Sequence, residues 1–345
     1  MKLPLRLLPL LALVLFACAD DSTPAADAGP ADSGPRVVLP ADEAPHSEQM
    51  EWWYYTGRLK TAAGDTYGFE FTVFQPRKME KYFYVSHVAF TDLQKKKYDF
   101  EMMLSGEDQR KAVAKGFKLK VGQNVMQGHK GEDKIKARTK AYALDLSLSS
   151  TKPVTLQYGT GWMRVGAERP FYYYSYTRMT ASGTVTVDGK DLPVTGDVWM
   201  DHQWGTIGDG YGWDWFSLRM DDKTELMLFK VRRPGHKGFA GGTLVRADGT
   251  TRAFTDGEFS ITNLGSWTSP HTKTTYSHGW KLAVPALSWQ ATVTPVIKDQ
   301  EFSHTVLGSP TYWEGLCDVS GSREGKAAPG HAYVEITGKI PTLDP

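Results

Sequence analysis

From Val37 onward, apolar and polar positions alternate with a period of two in short runs broken by Gly, Asp or Pro, and no twelve-residue window sustains a 3.6 period. The pattern predicts strands over Trp52–Leu59, Thr66–Phe74, Tyr82–Thr91, Tyr142–Leu148, Phe171–Thr180, Gly183–Val187, Asp197–His202, Gly212–Met220, Glu225–Arg232, Gly241–Val245, Trp280–Val284, Trp289–Pro295, Thr311–Val319 and Ala332–Thr337. Turn residues such as Asp188-Gly189, Asp221-Asp222-Lys223 and Asp248-Gly249 separate them. Many short antiparallel strands with little helix make an all-β chain of barrels or sandwiches, which shield sheet edges. The halves echo each other. Glu51-Trp52-Trp53, Tyr67-Gly68-Phe69 and Val85–Phe90 match Asp201-His202-Gln203-Trp204, Gly212-Trp213-Asp214-Trp215 and Leu226–Phe229, as in a duplicated barrel joined near residue 182.

The first 18 residues break this pattern. Lys2 and Arg6 precede an apolar run from Leu7 to Phe16, too short to span a bilayer as a helix, which reads as an export signal. Leu15-Phe16-Ala17-Cys18 resembles the lipobox of bacterial lipoproteins, so Cys18 is expected to be the lipidated first residue of the mature chain. Residues 19–36 contain only Ala, Asp, Ser, Thr, Pro and Gly before Arg36 and read as a solvated tether. Ala19 after the cysteine points to export and lipid anchoring at the outer membrane. Cys317 then stands without a disulfide partner. The expected division is 1–18 signal, 19–36 tether, 37–182 first barrel and 183–345 second barrel.

The 345 residues carry 40 Lys and Arg against 39 Asp and Glu, a balance that offers nucleic acid no attractive field. Eleven tryptophans in a chain that is 12% aromatic make an aromatic-walled site for a hydrophobic small molecule plausible. No HxH, HExxH or CxxC occurs, so a metal site would have to be assembled in three dimensions. None is expected, nor any other cofactor. Gly-x-Ser-x-Gly is also absent.

The most informative segment is Val198–Gly205. An extended backbone puts Met200, His202 and Trp204 on one face and Asp201 and Gln203 on the other, aligning an imidazole beside an indole. An imidazole that titrates near neutrality beside a carboxylate suits proton transfer. Similar acid–aromatic groupings recur at His46 before Glu51-Trp52-Trp53, at His87, at Trp213-Asp214-Trp215 and at Tyr312-Trp313-Glu314. Charged groups in apolar strands need partners, so these are expected to meet. His202, Trp204, Asp214 and Glu314 should share one shell of a common apolar cavity, supported by Glu51, His87 and Glu335. The expected catalytic set is His202, Asp201, Asp214 and Glu314. The expected binding set adds Trp204, Trp213, Trp215, Tyr312, Trp313, Glu51, Trp53, His87, His46 and Glu335.

These same residues carry a resemblance. Glu51-Trp52-Trp53-Tyr54-Tyr55-Thr56-Gly57, Tyr67-Gly68-Phe69-Glu70, Asp201-His202-Gln203-Trp204-Gly205, Gly212-Trp213-Asp214-Trp215-Phe216, Tyr312-Trp313-Glu314-Gly315 and Tyr333–Gly338 resemble, in order, the AttH-like, carotenoid 1,2-hydratase-type (CrtC) lipocalin-like family. The resemblance implies two consecutive lipocalin-like β-barrels. It also implies hydrolase or hydratase chemistry on a hydrophobic, unsaturated or lipid-like substrate, with His202 and Trp204 in the functional motif. The Tyr and Asp of the hydratase branch fall here on Phe229 and Val231, so carotenoid hydration itself does not carry over. The alternative is a carrier that binds a hydrophobic ligand without turning it over.

Overall fold

The computed structural model describes residues 36–110, 113–164, 170–206, 212–232, 238–303 and 311–337. The expected signal, Cys18 and the expected tether through residue 35 lie outside the described residues. Strands dominate. Among the described residues the only helical turns are three single 3-10 turns, at Ala41–Glu43, Gln157–Gly159 and Pro285–Leu287.

Two antiparallel sheets each curl almost closed. The first runs Lys97–Ser105, Tyr84–Asp92, Thr66–Phe74, Met50–Thr61, Lys190–Gly205, Pro170–Val187, Tyr142–Ser150, Glu132–Arg138, Asn124–His129, Phe117–Val121. The second runs Thr251–Thr255, Phe239–Val245, Glu225–Arg232, Gly212–Met220, Gly330–Thr337, Tyr312–Arg323, Trp289–Pro295, Trp280–Val284, Ser260–Asn263. Both share one plan. The first long strand in the chain pairs with the second and with the last, and the seam falls between two strands consecutive in sequence. In the first barrel Asn124 Nδ2 donates to Ser86 Oγ at 2.9 Å and Gln109 Nε2 to the Lys120 carbonyl at 2.6 Å, stitching that seam with side chains.

Duplication is therefore real in topology, but the join is not at 182. That boundary falls inside the continuous strand Pro170–Val187, and the first sheet extends to Gly205. Gly183 marks a close approach instead of a turn: at φ 152° a Cβ there would lie 2.1 Å from the Asp145 carbonyl. The segment read as opening the second half, Asp201–Gly205, pairs with Met50–Tyr54 of the first barrel. Its counterpart to Met50–Thr61 is Gly212–Met220. The strands Lys97–Ser105, Phe117–Val121, Asn124–His129 and Glu132–Arg138 were not among those expected; their outward positions are largely charged or polar, which dilutes the apolar signal.

Period-two alternation gives each barrel two faces. Trp53, Tyr55, Phe69, Phe71, Tyr174, Met200 and Trp204 fill the first barrel, and Phe216, Leu218, Trp280, Trp289, Trp313 and Val334 the second. The opposite faces of the same strands meet each other. Tyr54, Tyr173, Trp199, Trp215, Phe229, Leu316 and Tyr333 form an aromatic layer between the barrels. Gly68 makes this approach possible, since a Cβ there would sit 2.9 Å from Tyr333 Oη and 3.1 Å from Leu316. Buried Glu225 ties the two together by accepting from Arg178 Nε of the first barrel and Lys152 Nζ, each at 2.6 Å.

Candidate functional site

The pleat divides the expected residues between two clusters. The first lies inside the first barrel. Cross-strand pairing sets Trp53 opposite His202 and Tyr174 opposite His202 on the other side, all pointing inward. His202 is wholly buried, with Nε2 2.7 Å from Glu51 Oε1, Nδ1 3.1 Å from Tyr174 Oη, and its ring stacked on Trp53 at 4.4 Å. His46, from the segment ahead of the first strand, places Nδ1 2.8 Å from the same Glu51 oxygen and stacks on Trp204 at 4.1 Å and 7°. Glu51 Oε2 accepts from the His46 backbone N–H at 2.7 Å and from Gln75 Nε2 at 2.9 Å.

Burial works against the Glu51 carboxylate, but hydrogen bonds from His202 and His46 outweigh it and hold its pKa below the ordinary value. Burial also pushes His202 down to about 4, so the ring is neutral despite Glu51. For His46, burial is outweighed by Glu51 and then Asp42, and the pKa rises. Of the two imidazoles, His46 is the one held toward its charged form, and its side chain keeps 21% of its surface in solvent.

The second cluster lies between the barrels. Asp201, one residue before His202, points the other way. Its carboxyl accepts from Ser175 Oγ at 2.5 Å, Trp199 Nε1 at 2.7 Å and Tyr173 Oη at 2.8 Å, and Trp215 Nε1 donates to Tyr173 Oη at 3.3 Å. Tyr54, set edge-on to Trp215 at 5.4 Å, donates its hydroxyl to Glu314. Glu314 and Glu335 are directly opposed across two paired strands, and Glu70 faces the same space from the first barrel, accepting from Thr72. Glu70 and Glu314 are buried, whereas Glu335 keeps some contact with solvent.

Among the described residues no cation pairs with this group. Burial, reinforced by the charges of Glu70 and Glu335, raises Glu314 well above the carboxylate range, and burial does the same to Glu70. Glu335 is pushed up to about 7, burial leading and the Trp213 side chain opposing. Burial likewise lifts Asp201 to about 7 against its three donors. Glu70, which sequence reasoning missed, was legible only as an acid inside the otherwise apolar Tyr67–Phe74 run.

Other expected members lie elsewhere. Asp214 faces away from its neighbouring indoles and pairs with Arg232 Nη1 at 2.6 Å, so it belongs to neither cluster. Trp313 points into the second barrel and donates to the Lys298 carbonyl at 2.8 Å. His87 and Tyr312 meet each other, Nδ1 to Oη at 2.7 Å, beside Phe302. Trp213 and Trp215 border the inter-barrel layer. The expected single shell of His202, Trp204, Asp214 and Glu314 does not form. Adjacent strand residues face opposite sides, and Asp201 with Glu314 went one way while His202 with Trp204 went the other. Two surface pockets, one around Leu244, Leu287 and Arg323 and one around Gln123, Leu144 and Thr186, touch neither cluster.

The AttH-like family model matches residues 30–339. The chain belongs to the AttH-like family. Similar in structure is a candidate AttH from Nitrosomonas europaea, 28% identical, with a TM-score of 0.79 over 90% of this chain and 99% of that one. Kievitone hydratase from Nectria haematococca is 17% identical, with a TM-score of 0.74 over 91% of this chain and 98% of that one. CghA, crystallised with Sch210972, shares 9% identity at a TM-score of 0.53. None of the curated proteins matches. These likenesses bear out the all-β, two-barrel reading of the AttH-like chain and give it a fold that a hydratase also uses.

Proposed function

We propose that this AttH-like protein adds water to, or hydrolyses, an apolar unsaturated molecule held between the two barrels, with Glu314 as general acid and Glu335 as general base. One observation carries the reading. Glu314 and Glu335 face each other across a strand pair within an aromatic layer, Glu314 buried and Glu335 reached by solvent, and burial raises the pKa of both. Carboxyls buried without a cation cost stability, and such groups cluster where chemistry uses them.

The division of labour follows from exposure. Glu314, buried and held toward its protonated form, receives the Tyr54 hydroxyl on one oxygen and offers its own proton to an alkene carbon. Glu335, titrating near 7 and reached by solvent, takes a proton from water as its oxygen bonds to the carbon left cationic. Proton return from Glu335 to Glu314 closes the cycle, and the net reaction is addition of one water. The indoles of Trp213 and Trp215 and the ring of Tyr54 offer π-faces to the developing cation.

The test needs no prior substrate. Small molecules extracted from the purified protein are identified by mass spectrometry, then incubated with it in 18O-labelled water. Label in the product of the wild type, lost in Glu314→Gln and in Glu335→Gln, supports the assignment. A bound apolar molecule that neither enzyme form alters overturns it in favour of a carrier.

We also propose that the mature chain is exported and held at the outer membrane through a lipidated Cys18, on the leader, the lipobox-like Leu15–Cys18 and the tether that follows. Labelling cells with a fatty-acid analogue should tag the wild type and not Cys18→Ser. An unmodified soluble N-terminus would refute the anchor.

A further inference from the structure

Inside the first barrel, away from the inter-barrel acids, three potential ligand atoms converge from three separate parts of the chain. They are His46 Nδ1, Glu51 Oε1 and His202 Nε2, all within 4.8 Å of one another. We infer that His46, Glu51 and His202 form a binding site for one divalent transition-metal ion of the zinc type. Two imidazoles and one carboxylate are a donor set that zinc takes in tetrahedral sites, leaving a fourth position for water.

The geometry needs little adjustment. Ligands at zinc bond lengths of about 2.0–2.1 Å stand roughly 3.3 Å apart in a tetrahedron. Here His202 Nε2 and His46 Nδ1 lie 2.7 and 2.8 Å from Glu51 Oε1. An ion entering between them opens each contact by about half an ångström. His46 can supply this movement because it precedes the first strand and is partly exposed. His202, walled in by Trp53 and Trp204, stays in place, and its contact opens by a turn of the Glu51 carboxylate about the anchored Oε2.

The surroundings are those of a built ligand set. Tyr174 Oη meets Nδ1 of His202 at 3.1 Å, which fixes the ring and leaves Nε2 as the ligating nitrogen. Gln75 Nε2 and the His46 backbone N–H hold Glu51 Oε2, so Oε1 is the oxygen left to face the imidazoles. Gln75 is itself buried and donates again to the His46 carbonyl at 2.9 Å, tying the exposed ligand to the buried one. The rings of Trp53, Trp204 and Tyr172 close the sides. The inference is independent of the reaction proposed above, because these side chains project from the other face of the strands.

The test uses the exported chain without its leader, stripped with a chelator and titrated with zinc chloride by calorimetry, then checked for bound metal by elemental analysis after gel filtration. One zinc per chain is expected. Cobalt in its place should give the intense visible bands of a tetrahedral ion. His46→Ala, at a partly exposed position outside the strands, should abolish stoichiometric binding while the chain still folds. Tyr174→Phe should weaken it about 10- to 100-fold without removing a ligand. His271→Ala, at a surface His–Asp pair, should change nothing. No stoichiometric zinc in the wild type, or binding unaltered in both His46→Ala and Tyr174→Phe, overturns the inference. Neither result touches the Glu314 assignment, which is read by 18O incorporation.

Discussion

Asp201 and His202 are consecutive, yet their side chains enter different chemical environments. Asp201 lies opposite Tyr54 and Ser175 and faces the second barrel, while His202 lies opposite Trp53 and Tyr174 and faces the interior of the first. One strand thus supplies a protonatable carboxyl to the inter-barrel layer and a neutral imidazole to the His46–Glu51 group.

His202→Ala should be strongly destabilising. Glu51 would keep its buried charge and lose one of two imidazole donors, and the unmade hydrogen bond together with the cavity left by the ring costs about 3–5 kcal/mol. The expected fall in melting temperature is roughly 10 °C or more. This departs from the expectation for a residue at the rim of a pocket, where the change would be a few degrees. A thermal scan distinguishes the two.

Glu314→Gln, in contrast, should leave the melting temperature unchanged within a few degrees or raise it. The amide replaces a carboxyl whose charged form burial and the neighbouring Glu70 and Glu335 disfavour, keeps an acceptor for Tyr54 and does not titrate. Turnover should be lost with the fold intact, as seen by circular dichroism alongside the isotope assay.

Stability should fall as pH rises from about 6.5 to 8. Asp201, Glu335 and Asp133 are each pushed by burial to about 7, so the folded chain holds protons there that the unfolded chain has already released. Each loses about 1.4 kcal/mol of stability per pH unit between the ordinary carboxylate value of about 4 and its folded value of about 7, so between pH 6.5 and 8 only the last part of that loss, about 1 kcal/mol or less per group, is read. His46, raised by Glu51 against its burial, changes in the same direction. His202, lowered by burial to about 4, and His331, also lowered by burial, act oppositely but only below the ordinary histidine value of 6.5. Urea melts at pH 6.5 and 8 measure the sum, and a flat or rising profile would contradict the burial of these acids.

Gly68→Leu should separate the barrels without unfolding either. The added side chain would meet Tyr333 Oη and Leu316 at contact distances already too short for a Cβ. Overpacking of this kind costs about 1–3 kcal/mol. Tryptophan fluorescence should report new exposure of the inter-barrel indoles, and activity at Glu314 should fall with it.

The sequence by itself determined the elements and their faces. Thr66–Phe74, Gly212–Met220, Glu225–Arg232, Trp280–Val284 and Trp289–Pro295 are strands at those residues because alternation needs only the neighbouring positions. It also determined that His202 and Trp204 share a face that excludes Asp201, for the same local reason. Which face meets which partner was decided by the tertiary structure. Glu51 reaches His202 across 151 positions and Tyr54 reaches Glu314 across 260, and no local pattern encodes pairings set by strand order and barrel closure. The join between the barrels was hidden likewise. Gly183 reads as a break in sequence, but its missing side chain is needed where the Asp145 backbone presses against an unbroken strand.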